Sequence, residues 1–139
     1  MGMEIKQTPT GGLGIWDDLS GARAASVMTL AGAVARGATN TAVLGTLPAN
    51  AKIISIFVTV PVVSNAGTTA TVSVGLSGGS ATAFTAAQDV KTAVGNFSQA
   101  ATANWAIATA SQALTVTYTE TGTASSAGTA YVTVNYCVN

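Results

Sequence analysis

The sequence predicts an all-β domain, an antiparallel β-sandwich of jelly-roll-like type behind an extended N-terminal arm. Two observations carry most of this prediction. Runs rich in β-branched residues recur at KIISIFVTV (52–60), TATVSVGL (69–76), ALTVTYTE (113–120) and AYVTVNYCV (130–138), and their apolar positions repeat, in part in the first and cleanly in the others, with the period of two that a pleated strand imposes. Segments of Gly, Ser, Thr, Asn and Ala separate these runs, as in SNAG (64–67), SGGS (77–80) and TGTASSAG (121–128). Seven to nine short strands with turn signals between them suit a sandwich better than a helical or βαβ fold.

Residues 1–22 stand apart. They hold Glu4, Lys6, Asp17 and Asp18 among scattered glycines, with no apolar period, and read as an arm. Within it, Ile15 and Trp16 form an apolar pair that needs somewhere to dock. They can fold back on their own domain or insert into a neighbouring subunit, because the flanking glycines allow reach and large aromatics are favoured interface anchors. Residues 23–139 are assigned to the sandwich. From 23 to 47, RAASVMTLAGAVARG has helical propensity. However, Gly32 interrupts it and no 3.6-residue stripe appears, so short strands are expected there and at TNTAVLGTL.

From Lys52 the pattern is clear. Pro61 closes the first strong strand. In the second, Val72, Val74 and Leu76 share one face, and SNAG between the two suggests a hairpin. Leu114, Val116 and Tyr118 are in phase, as are Val132, Val134 and Tyr136 with Tyr131 opposed, and the loop 121–128 suggests a second hairpin. Weaker elements are expected near 81–85, 90–94 and 105–109. Threonine is abundant because its β-branch fits the pleat while its hydroxyl fits a wet face.

With 139 residues the chain has room for one core. Only five cationic and five anionic residues are present and the formal net charge is zero. A typical soluble domain is about a quarter charged. Such a surface repels its copies weakly, and a core of Val, Leu, Ile and Ala makes a marginal monomer that association would stabilise. The scattered cations Lys6, Arg23, Arg36, Lys52 and Lys91 make no phosphate-binding patch, so no nucleic-acid partner is expected. The start MGMEIKQTPT is not a secretory signal, and the uncharged stretch 24–35 is shorter than the roughly 20 residues a bilayer span needs. The expectation is a soluble protein made in a reducing cytoplasm, with no membrane partner.

Chemistry finds little support. There is no histidine, so the commonest general base and metal ligand is missing, and no Ser-His-Asp triad can form. Cys137 is a single cysteine in a strand-like run and is read as a small buried apolar residue, the alternative being an intermolecular crosslink. Asp17 and Asp18 offer two carboxylates where a calcium site wants six to eight oxygens. Asp89 and Lys91 read as a turn with a weak surface ion pair. Glu120 reads as a solvent-facing strand end. GGLG (11–14) and SGGS lack the context of a nucleotide fingerprint, and NFS (96–98) matches a glycosylation acceptor without a secretory route. No catalytic, metal or cofactor-binding residue is assigned. Trp105, Tyr118, Tyr131 and Tyr136 could form a carbohydrate-binding face, but the favoured reading places them as the bulky part of a small-residue core.

GTLPANAKIISIFVTV, SVGLSGGSATAFTAAQDVKTA and LTVTYTETGTASSAGTAYVTVNY resemble small structural proteins of tailed-phage virions. An LPA-x-A turn opens a hydrophobic strand, an SVG strand end leads to a Gly/Ser loop, and a hairpin of VTVTY type closes the chain. The resemblance covers residues 45–136. It implies a non-enzymatic capsid decoration (cement) or head-fibre role on the outer capsid surface. It further implies a homotrimer whose arm, with Ile15 and Trp16, grips the major capsid protein. A tail- or fibre-associated carbohydrate- or host-binding module, marked by an exposed Trp105 or Tyr118, and a self-polymerising surface subunit are the other readings.

Overall fold

The computed structural model describes residues 26–102, 105 and 109–138. They form eight strands: β1 (Met28–Val34), β2 (Thr39–Leu47), β3 (Ala51–Val62), β4 (Thr69–Leu76), β5 (Gln88–Asp89), β6 (Gly95–Ser98), β7 (Gln112–Thr121) and β8 (Thr129–Val138). One sheet has the order β1-β8-β3-β6 and the other β2-β7-β4-β5, with every neighbouring pair antiparallel. Every connection except β4 to β5 passes from one sheet to the other. Two four-stranded sheets wound this way make an eight-stranded jelly roll. The segment at 23–47 supplies two strands and no helix.

The period-two reading of the faces holds. Val72, Val74, Leu114, Val116, Tyr118, Val132, Val134 and Tyr136 are buried between the sheets, and Leu76 is half-buried at the margin. The partial alternation of KIISIFVTV has a local cause. A bulge lies between Ile53 and Ser55, so the inward set changes from Ala51 and Ile53 to Ile56, Val58 and Val60. Ile54, the extra residue, is left exposed. The LPAN turn before β3 closes with Ala51 N donating to Pro48 O at 3.2 Å, and Asn50 takes the left-handed conformation at φ 63°, which its side chain tolerates.

Both expected hairpins are corrected. β3 and β4 lie in different sheets, as do β7 and β8. Their connections, residues 63–68 and 122–128, are longer than the two to five residues of a tight hairpin and cross the roughly 10 Å between sheets. The two loops bond to each other instead. Gly67 N donates to Thr123 O at 2.8 Å, and Asn65 N donates to Ala127 O at 3.3 Å. Asn65 Oδ1 accepts from Ser126 N and Ala127 N, both at 2.9 Å.

The weaker elements are also corrected. Residues 90–94 are loop between β5 and β6, and 81–85 is not a strand. Phe84 N and Thr85 N nevertheless donate to Val74 O, and Val74 N donates to Thr85 Oγ1 at 3.0 Å, so this segment runs along the β4 edge. Gly75 permits the crossing, because a Cβ there would sit 2.1 Å from Ser80 O. Of 105–109, Trp105 and Thr109 are described and neither is in a strand.

Candidate functional surfaces

At one end of the sandwich three loops meet around a buried acid. Glu120 follows Tyr118 in the inward phase of β7 and is 7% exposed, which corrects its expected solvent-facing position. Ser125 Oγ donates to its Oε2 at 2.6 Å and Ser125 N to its Oε1 at 3.1 Å. Tyr118 Oη is hydrogen-bonded to Ser64 Oγ at 2.8 Å and to Glu120 Oε2 at 3.1 Å. Arg36 Nη1 donates to Ser125 O at 2.8 Å. The Ser125 hydroxyl and amide, then the Tyr118 hydroxyl and the Arg36 charge, hold the Glu120 carboxyl below its usual range. Every polar group named here has a partner, so the cluster acts as a lock tying β1–β2, β3–β4 and β7–β8 together.

The sheet faces carry hydroxyls where the alternation put them. On the β2-β7-β4-β5 sheet, Thr41 and Thr117 bond at 3.0 Å and Thr69 and Thr121 at 2.7 Å. On the other sheet, Thr29 Oγ1 donates to Asn135 Oδ1 at 2.7 Å and Asn135 Nδ2 to Ser55 Oγ at 2.9 Å. Thr59 Oγ1 donates to Asn96 Oδ1 at 3.0 Å. Cys137 lies opposite Lys52 on this outer face and is half-buried, a correction to its expected place in the core. Its phase follows from the inward Tyr136 beside it.

Three of the four aromatic residues lie in the core as the favoured reading placed them, and Tyr131 is a correction to it. Trp105, Tyr118 and Tyr136 belong to the core, and Trp105 Nε1 donates to Phe84 O at 2.7 Å. Tyr131 is 44% exposed on the outer face. The exposed Trp105 or Tyr118 that would mark a carbohydrate platform is not found. Asp89 is the turn residue expected, but through local bonds: its Oδ1 accepts from Lys91 N at 2.7 Å and its Oδ2 from Thr92 Oγ1. These, the Thr92 hydroxyl first, lower its pKa. Among the described residues no three His, Cys, Asp or Glu lie together as a metal site would need, and no helix is long and apolar enough to cross a membrane. Ile15, Trp16, Asp17 and Asp18 lie outside the described residues.

The feature that sequence reasoning missed is a slot of about 250 Å³ on the flank between β1 and β2. Gly32, Val34, Ala42, Leu44 and the buried Val116 line it. Ala42 pairs with inward Val116 and so has core phase, yet it is exposed. The only trace in the sequence was the run of small uncharged residues at 31–35.

No family model and no curated protein matches the sequence. Solved structures do. A chain of the cyanophage Pam1 capsid asymmetric unit superposes with a TM-score of 0.61 at 20% identity, over 83% of this chain and 86% of that one. The fold is shared with chains of phage capsids. A chain from the acidic stable capsid of Helicobacter pylori bacteriophage KHP30 gives a TM-score of 0.65 at 15% identity, over 81% and 87%. One from the capsid of Ralstonia phage GP4 gives 0.59 at 19%, over 84% and 85%. Each likeness spans most of both chains, so the jelly roll as a whole is the shared unit.

Proposed function

We propose that this chain is a non-enzymatic structural protein of a bacteriophage virion, a decoration (cement) subunit on the outer capsid surface that binds the major capsid protein and copies of itself, as a homotrimer. The observation that carries this reading is the jelly roll shared, over more than four-fifths of both chains, with chains from three phage capsid structures. The near-absence of charge supports it, since copies crowded on a shell meet little mutual repulsion. The fully bonded polar lock supports it as well, because its side chains are engaged in holding loops together. The arm with Ile15 and Trp16 makes the docking contact, and burial of apolar area across subunit boundaries stabilises the shell.

The test is co-sedimentation of the purified protein with capsids that lack it, followed by thermal challenge of the decorated shells. The reading expects saturable loading and a higher rupture temperature. Deleting residues 1–20 is expected to leave a folded domain that no longer loads. Failure of the full chain to load at any concentration would overturn the decoration role.

A further inference from the structure

Around Glu120 the hydrogens all point one way. An ionised carboxylate only accepts, so Ser125 N, Ser125 Oγ and Tyr118 Oη donate to it, at 3.1, 2.6 and 3.1 Å. Tyr118 spends its one proton on Glu120. The Ser64 hydroxyl, 2.8 Å away, must therefore donate to Tyr118 Oη, while Ser64 Oγ accepts from Ala66 N at 3.2 Å. Arg36 holds the other side of Ser125 through its carbonyl. A proton added to Glu120 has no place in this arrangement. On Oε1 it would face the Ser125 amide, which cannot accept it. On Oε2 it would need the Ser125 or the Tyr118 hydroxyl to turn round. In either place the remaining bonds join neutral groups and are roughly half as strong as charge-assisted ones.

We infer that Glu120 is an acid-operated catch: its charged carboxylate holds the middle of the 122–128 loop at Ser125, and protonation frees Ser125 and Arg36 while the sandwich stays folded. The catch is independent of the role proposed for the protein in a virion. Few other charges bear on it. Besides Tyr118 on β7, loops 63–68 and 122–128 hold no titratable residue, and loop 35–38 holds Arg36 alone. Ser64 N donates to Val90 O, which brings Asp89 and Lys91 nearest along the chain, but Asp89 is taken by Lys91 N and Thr92 Oγ1. The release is local because the other ties of the loop carry no charge. Asn65 Oδ1 holds Ser126 N and Ala127 N, and Gly67 N holds Thr123 O. The folded-state pKa of Glu120 lies below its ordinary 4.5, so the catch is closed above about pH 4.5 and opens as pH falls through the lower folded value.

The experiment is amide hydrogen exchange of the full chain, read residue by residue by NMR as protection factors from about pH 6 to about pH 3, across the carboxylate range. Protection of the Ser125 amide is expected to fall at least about tenfold on acidification, the equilibrium factor of one hydrogen bond to a charged group. The Ser126 and Ala127 amides on Asn65, and the β4–β7 ladder, should keep theirs. Glu120→Gln should show the low Ser125 protection already at the upper pH, with no further fall. Asp89→Asn should behave as wild type. The wild-type profile is read without any variant, so the test does not hang on the folding of Glu120→Gln. Constant Ser125 protection across the range, or a ladder that loses protection together with Ser125, would overturn the inference. So would a Glu120→Gln variant as protected at Ser125 as wild type, or a step that disappears in Asp89→Asn.

Discussion

The flank of β5 and β6 and the flank of β1 and β2 close the same sandwich by opposite means. At the first, strands are short, two and four residues, and other segments cover the edges. Phe84 and Thr85 bond along β4, Gln99 N continues β6 by donating to Ile56 O at 2.9 Å, and Gln99 Nε2 reaches Gln88 Oε1 at 3.0 Å from sheet to sheet. Trp105 clamps Phe84, which is 1% exposed. At the second flank, strands are long, with one bulge in β2, and the core-phase Ala42 is exposed. Its glycines also fill a packing role: a Cβ on Gly32 would come within 2.9 Å of Leu44 and one on Gly45 within 2.7 Å of Leu30. The two leucines thus interlock across the sheets below the slot. One flank is sealed by described segments of the chain, and along the other the described residues leave a slot.

Substitutions should separate the two flanks, and the largest effect belongs to the sealed one. Phe84→Ala is expected to destabilise the fold by about 3–5 kcal/mol, read by denaturant unfolding, because a fully buried aromatic leaves a cavity. A cost under 1 kcal/mol would mean that the flank is not sealed as described. Trp105→Phe keeps an aromatic side chain but loses the five-membered ring and with it the bond to the Phe84 carbonyl, with an expected cost of about 1–3 kcal/mol. On the open flank, Gly45→Val should cost about 1–3 kcal/mol by overpacking against Leu30. Val43→Thr, at the exposed rim, should change stability by less than about 0.5 kcal/mol. A large loss there would show that the rim is already buried in the free protein.

The polar lock adds a pH test. The folded-state pKa of Glu120 is depressed from its ordinary value of 4.5. Its contribution is therefore fully present above about pH 4.5 and is lost as pH falls through the lower folded value. Asp89, also depressed, acts in the same direction at the other flank. Glu120→Gln should weaken the acid-induced fall in melting temperature and leave the Asp89 part. An unchanged acid profile in that variant would remove Glu120 from the lock.

Sequence alone determined which side chains face inward, because the sheet pleat ties face to position: Val132, Val134 and Tyr136 had to lie opposite Tyr131. It also determined the hydroxyl-rich outer faces and the scarcity of charge. Strand partners were decided only in the tertiary structure. A turn-forming segment such as SNAG or TGTASSAG has the same composition whether it reverses within one sheet or crosses to the next, and only the packing of both sheets selects the crossing. Glu120 and Cys137 show the same division. Residue type and strand phase disagree at both, and phase prevails: Glu120 follows Tyr118 inward and Cys137 follows Tyr136 outward. A carboxylate can hold an inward position only because Tyr118 and Ser125, its neighbours in sequence, bond to it while Arg36 and Ser64 from distant loops hold those two in place. The slot likewise belongs to no segment. It exists where two small-residue edges, contributed by different sheets, stand side by side and no other described residue fills the space between them.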